Sequence, residues 1–153
     1  MDKGSIVFNI LVTITLVVIV ATLVVALDTP QEKTSPYDRI REDQIHVYKD
    51  KIVIDISDAS WASYTDTNSM DPILDFGANG LELIPESEDN LFVGDIVAYE
   101  SKITSDLIVH RIIEIKYDDE GKYFVLKGDN NKTSDPEKVR FSQIKYVLIG
   151  IIY

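Results

Sequence analysis

The chain has 153 residues and carries 26 Asp and Glu against 15 Lys and Arg, a formal net charge of −11. This length allows one compact domain, and the acidic excess argues against nucleic acid as a partner, because phosphate binders need a basic footprint. With no cysteine and only His46 and His110 as imidazoles, the chain offers no disulfide framework, no thiolate nucleophile and no zinc site of several histidines.

The first element is the apolar run Ile6 to Leu27, which has no charge and only Asn9, Thr13, Thr15 and Thr22 as polar residues. As a helix it spans roughly 30 Å of hydrocarbon, enough to cross a bilayer. A cleavable secretory signal is the rival reading, but the run exceeds the usual apolar core of about 7–15 residues, and Ala26-Leu27-Asp28 is no clean small-x-small site. A retained transmembrane anchor is therefore expected over residues 6–27 of an N-terminal segment 1–27. Lys3 on one side faces Lys33, Arg39 and Arg41 on the other, so the loop charges do not set its orientation. Residues 28–43, with Pro30, Pro36 and many charged or small polar residues, read as a tether.

Residues 44–153 read as a mainly β domain. Gln44 to Ile56 alternates apolar and polar residues around Lys49-Asp50-Lys51, the pattern of a hairpin with one buried face. Strands are expected at Leu81–Ile84, Asp95–Tyr99, Leu107–Ile115, Tyr123–Lys127 and Lys145–Tyr153, with Asp118-Asp119-Glu120-Gly121 as a hairpin turn. The nearly all-apolar Tyr146 to Tyr153 reads as a central buried strand. No segment outside the anchor has the periodicity of a long helix.

Three short segments carry the chemistry. In Thr67-Asn68-Ser69-Met70-Asp71-Pro72 a serine sits on a polar loop stiffened by a following proline; its hydroxyl is a nucleophile only if a base takes its proton. In Ile108-Val109-His110-Arg111-Ile112-Ile113 an imidazole and a guanidinium interrupt an apolar strand, so they point to opposite faces. His110 is suited to proton transfer near neutral pH. In Lys127-Gly128-Asp129-Asn130-Asn131, with Asp135 and Pro136 beyond, a carboxylate is available to orient the imidazole. Asp129 and Asp135 both qualify, and each segment alone also reads as an ordinary turn or core element.

In this order the segments resemble type I signal peptidases, in the archaeal and endoplasmic-reticulum branch that uses histidine where the bacterial branch uses lysine. The marks are Asn68-Ser69-Met70-Asp71-Pro72, Val93-Gly94-Asp95-Ile96-Val97, Val109-His110-Arg111-Ile112, and Lys127-Gly128-Asp129-Asn130-Asn131 followed by Asp135. The resemblance covers roughly Ser60 to Tyr153. It implies a compact β-barrel or β-ribbon domain on a single transmembrane helix, with an extracytoplasmic body that cleaves signal peptides from secretory pre-proteins at the membrane. Carried over residue by residue, it implies Ser69 as nucleophile, His110 as general base, Asp135 as orienting group and Asp129 in a supporting role. It also implies an oxyanion hole of the Ser69 N–H and the Thr67 hydroxyl, and it calls for no metal or organic cofactor. The stretch Ile73 to Gly80 departs from many relatives, which have a shorter connection there. Besides the peptidase, two other expectations fit the sequence: a non-catalytic member of the same fold that recruits partners or recognises signal sequences, and an anchored structural β domain.

Overall fold

A computed structural model of the chain describes residues 2–27 and 33–153, in two units that divide at Lys33 and Thr34. The first unit holds helix α1, Lys3–Leu27. Among the described residues it is the one helix long and apolar enough to cross a membrane. Its threonines suit that setting. The hydroxyls of Thr13, Thr15 and Thr22 donate to the carbonyls of Asn9, Leu11 and Val18 at 2.8, 2.9 and 3.0 Å, so the helix satisfies these three hydroxyls itself.

The second unit begins with an extended stretch, 34–41, inside the expected tether. Residues 28–32 of that tether lie outside the described residues, but from Thr34 onward the chain belongs to the β unit. The attachment is polar and buried. Asp95, fully buried, accepts bonds from Arg39 Nη1 and Nη2 at 2.8 and 2.7 Å, and from the Tyr37 and Phe92 N–H groups at 2.9 and 2.8 Å. Tyr37 stacks on Phe92 at 4.3 Å between ring centroids. Gly94 allows the approach: it sits at φ +104, and a Cβ there would lie 2.1 Å from the Ser35 carbonyl oxygen.

Strands β1 (Ile45–Val47) and β2 (Ile52–Ile54) form the expected hairpin, but without its expected buried face: Ile45, Val47 and Ile52 are exposed, because the two strands pair only with each other and not with the larger sheet. The other strands, β3 (Ser60–Ser63), β4 (Asn79–Leu83), β5 (Ile96–Glu100), β6 (Leu107–Asp118), β7 (Gly121–Lys127) and β8 (Ile144–Ile152), make one antiparallel sheet in the order β3-β4-β8-β5-β6-β7. The fold is mainly β, as the sequence predicts, and β8 is interior to the sheet. Register shifts at Leu81/Glu82, Ala98/Tyr99 and Ile112/Glu114 bend the strands as β-bulges do.

The pleat divides the core in two. Successive residues of a strand face opposite sides, so Val97 and Val147 join one cluster with Tyr99, Ile112, Phe124 and Leu126. Ile96 and Leu148 join another with Met70, Leu74 and Ala78. Burial of Met70 in the second cluster fixes the backbone directly after Ser69.

Candidate active site

Ser69 lies in the loop between β3 and β4, half-buried, between a left-handed Asn68 (φ 57) and the buried Met70. Asparagine tolerates that conformation better than most side chains. After Met70 the chain turns tightly, with the Ile73 and Leu74 N–H groups both donating to the Met70 carbonyl at 3.0 and 3.1 Å. The Ser69 hydroxyl shares a hydrogen bond of 3.2 Å with the Thr67 hydroxyl.

The loop after β7 holds this segment in place. Asn130 N–H donates to the Ser69 carbonyl at 3.0 Å, and its side-chain amide donates to the Asn68 carbonyl at 2.9 Å. The Asp129 N–H reaches Met70 Sδ at 3.3 Å. Gly128 leaves the room required: a Cβ there would lie 2.5 Å from the Ser69 carbonyl oxygen.

His110 and Arg111 project from β6 to opposite faces, and each takes a different carboxylate from the same loop. His110 Nδ1 is 2.7 Å from Asp135 Oδ2, both side chains being nearly buried. Arg111 grips Asp129 with two parallel bonds, Nε to Oδ1 at 2.8 Å and Nη2 to Oδ2 at 2.7 Å. A third Arg111 bond, from Nη1, goes to the Gly94 carbonyl at 2.7 Å. The two aspartates that the sequence leaves as alternatives thus have separate partners. Planar, two-point pairing is what guanidinium offers a carboxylate, whereas a carboxylate at Nδ1 accepts a hydrogen bond from the ring N–H and leaves Nε2 as the basic nitrogen.

Tyr99 completes this arrangement. Its hydroxyl donates to the same Asp135 oxygen at 2.9 Å. Burial, and then that hydrogen bond, raise the Tyr99 pKa well above the usual phenol range, so the group remains a donor. Sequence reasoning missed Tyr99 and Asn130. A hydroxyl-bearing residue in the otherwise apolar stretch Ile96-Val97-Ala98 was the available signal for the first; the partner of Asn130 lies 62 residues away from it, beyond any local pattern.

A cleft of about 470 Å³ opens beside Ser69, lined by Tyr64, Thr65, Thr67, Ser69, Met70, Leu74, Asp106, Leu107, Ile108 and Val109. The Tyr64 hydroxyl donates to buried Glu82 at 3.1 Å. Burial raises the Glu82 pKa, although the Tyr64 hydrogen bond works in the other direction. The Tyr64 pKa is raised by burial and by the Glu82 charge.

Among the described residues no hydrogen bond joins Ser69 to His110, and no group of three or more His, Asp or Glu side chains is placed to hold a metal ion. His46 stands apart from these residues on β1, where it pairs with Asp55 at 3.0 Å.

No family profile matches the chain, and no solved structure matches it. Among curated proteins it is similar to the signal peptidase complex catalytic subunit SEC11 of Debaryomyces hansenii, with 35% identity over 100 residues, covering 56% of this chain and 60% of the relative. The chain thus spans about three fifths of the length of the curated relative that it matches. The chain is thus similar to a type I signal peptidase catalytic subunit of the eukaryotic, endoplasmic-reticulum kind, and its mainly β fold with an N-terminal apolar helix is consistent with that similarity.

Proposed function

We propose that the protein is a membrane-bound serine endopeptidase that removes N-terminal signal peptides from secretory pre-proteins. Ser69 attacks the scissile carbonyl while His110 Nε2 takes its proton. Asp135 holds the imidazole by Nδ1 and stabilises the imidazolium formed during attack. The Ser69 N–H and the Thr67 hydroxyl stabilise the oxyanion, each worth about 3 kcal/mol in the transition state. Asp129 supports the site through Arg111 and through the loop that binds the Ser69 carbonyl. His110 then returns the proton to the leaving amine, and water, activated by the same base, hydrolyses the acyl-enzyme.

The observation that carries this reading is the 2.7 Å contact of His110 Nδ1 with Asp135, on the loop whose Asn130 N–H also binds the Ser69 carbonyl. The absence of a Ser69–His110 hydrogen bond among the described residues is no obstacle, since such bonds are commonly long before substrate arrives. The neighbouring cleft, with Met70, Leu74, Ile108 and Val109 in its wall, suits small or apolar side chains before the cut, selected by size. The apolar helix holds the body at the bilayer, with the body on the extracytoplasmic side, where such cleavage sites emerge.

The test is Ser69→Ala in the full chain, purified in detergent and assayed on a pre-protein. The wild type is expected to release the signal peptide and the variant to lose cleavage; undiminished cleavage removes the mechanism. The bond of the Ser69 hydroxyl to Thr67 rather than to a base also fits one other reading, a non-catalytic member of the fold that recognises signal sequences. Binding of signal peptides by a wild-type chain that never cleaves them would support it.

A further inference from the structure

The wall of the cleft beside Ser69 has one charged side chain, Asp106. Its backbone is held in the β5–β6 turn: the Ser101 N–H donates to the Asp106 carbonyl at 3.0 Å, and the Ser105 N–H donates to the Ser101 carbonyl at 2.9 Å. The hydroxyl of buried Ser101 accepts from the Ile103 and Thr104 N–H groups at 3.1 and 3.3 Å. The Asp106 carboxylate, in contrast, is exposed, and among the described residues it has no cation or hydrogen-bond donor. Three buried or nearly buried carboxylates beside the site are occupied, Asp129 by Arg111, Asp135 by His110 and Tyr99, and Glu82 by Tyr64.

We propose that Asp106 is a specificity-determining residue, and that the cleft takes a peptide with a lysine or arginine side chain within three residues of the bond presented to Ser69. This rests on the reading of the cleft as the substrate site and deepens it. The remaining wall is apolar or hydroxyl-bearing and selects by size, so charge discrimination falls to one carboxylate. A cation there gains an ion pair, and an anionic side chain meets a like charge in a chain of net charge −11. Such rim charges discriminate between partners more than they add affinity.

The test uses peptides with a fixed cleavage sequence and Lys, Ala or Glu at each of the three positions on either side of the cut. They are assayed with the full chain in detergent as kcat/KM, and for binding to the Ser69→Ala variant by fluorescence anisotropy. At one position or more, Lys is expected to exceed Glu by roughly tenfold. The ratio is expected to fall below about twofold in Asp106→Asn, to reverse in Asp106→Lys and to shrink in 0.5 M salt. A Lys-to-Glu ratio that Asp106→Asn leaves unchanged, or no charge preference at any position in the wild type, overturns the proposal. Failure of the peptidase reading looks different: cleavage is absent or survives Ser69→Ala, while the binding assay still reports whether the preference depends on Asp106.

Discussion

His110 Nδ1 and the Tyr99 hydroxyl converge on one oxygen of Asp135, at 2.7 and 2.9 Å. The carboxylate is therefore held from two strands, β6 and β5, and the imidazole is oriented by a group that is itself fixed. Replacing Asp135 by Asn offers an amide where a pure acceptor is needed, so the tautomer with a basic Nε2 is no longer favoured. Cleavage by Asp135→Asn is expected to fall on the order of 10³–10⁴-fold in kcat. Tyr99→Phe, which removes one of two donors, is expected to cost about tenfold in rate and about 1 kcal/mol in stability. Pre-protein cleavage, with urea unfolding of the same variants, checks both.

Gly128 is the point at which the loop carrying Asp129 and Asp135 passes the Ser69 segment. An added methyl group would stand 2.5 Å from the Ser69 carbonyl oxygen, a backbone atom that moves only if the loop moves. Displacement of about 1 Å at a reacting group costs on the order of 10²-fold. Gly128→Ala is expected to lose activity on that scale in kcat while keeping the wild-type circular dichroism spectrum.

Arg111 and Asp129 are both almost fully buried, with 6% and 3% of their side chains exposed. Removing one partner leaves a buried charge, at a cost of about 3–5 kcal/mol. Arg111→Met is accordingly expected to lower the urea midpoint strongly, and Arg111→Met/Asp129→Leu to recover much of that loss. Activity should not return in the double variant, because Asp129 belongs to the loop that positions Ser69.

Much of the fold is readable in the sequence because its cues are local. Alternation gives the β1–β2 hairpin, Asp118-Asp119-Glu120-Gly121 gives the β6–β7 turn, and the apolar run gives β8. β3 is different: Ser60–Ser63 is short, its Trp61 is exposed, and its strand character comes from pairing with β4. The Arg39 clamp on Asp95 spans 56 residues, so composition alone marked residues 34–43 as tether. The three chemical segments could be picked out because each interrupts its surroundings with groups of unusual chemistry. Which aspartate goes with which cation depends on β6 presenting His110 and Arg111 to opposite faces, and on how the loop after β7 folds across them.

Glu82 gives stability a pH dependence of definite sign. Burial raises its pKa above the ordinary value of 4.5, so the folded state favours the protonated carboxyl more than the unfolded chain does. Its contribution is fully present below the unfolded pKa and is lost as pH rises through the folded one. Glu82→Gln keeps an acceptor for Tyr64 and removes the titration. The difference in Tm between Glu82→Gln and wild type is expected to move in favour of the variant as pH rises from about 4 to 7, measured by thermal melts in one detergent across that range.

The proposed mechanism requires Ser69 and His110 to act as one unit, although the Ser69 hydroxyl is bonded to Thr67. Cleavage rates of Ser69→Ala, His110→Ala and the double variant on a single pre-protein decide the matter. Each single change is expected to lower kcat by at least about 10³-fold, with the double variant no slower than the worse single one. A folded His110→Ala protein that cleaves within tenfold of wild type, or losses that multiply in the double variant, would contradict a shared proton path.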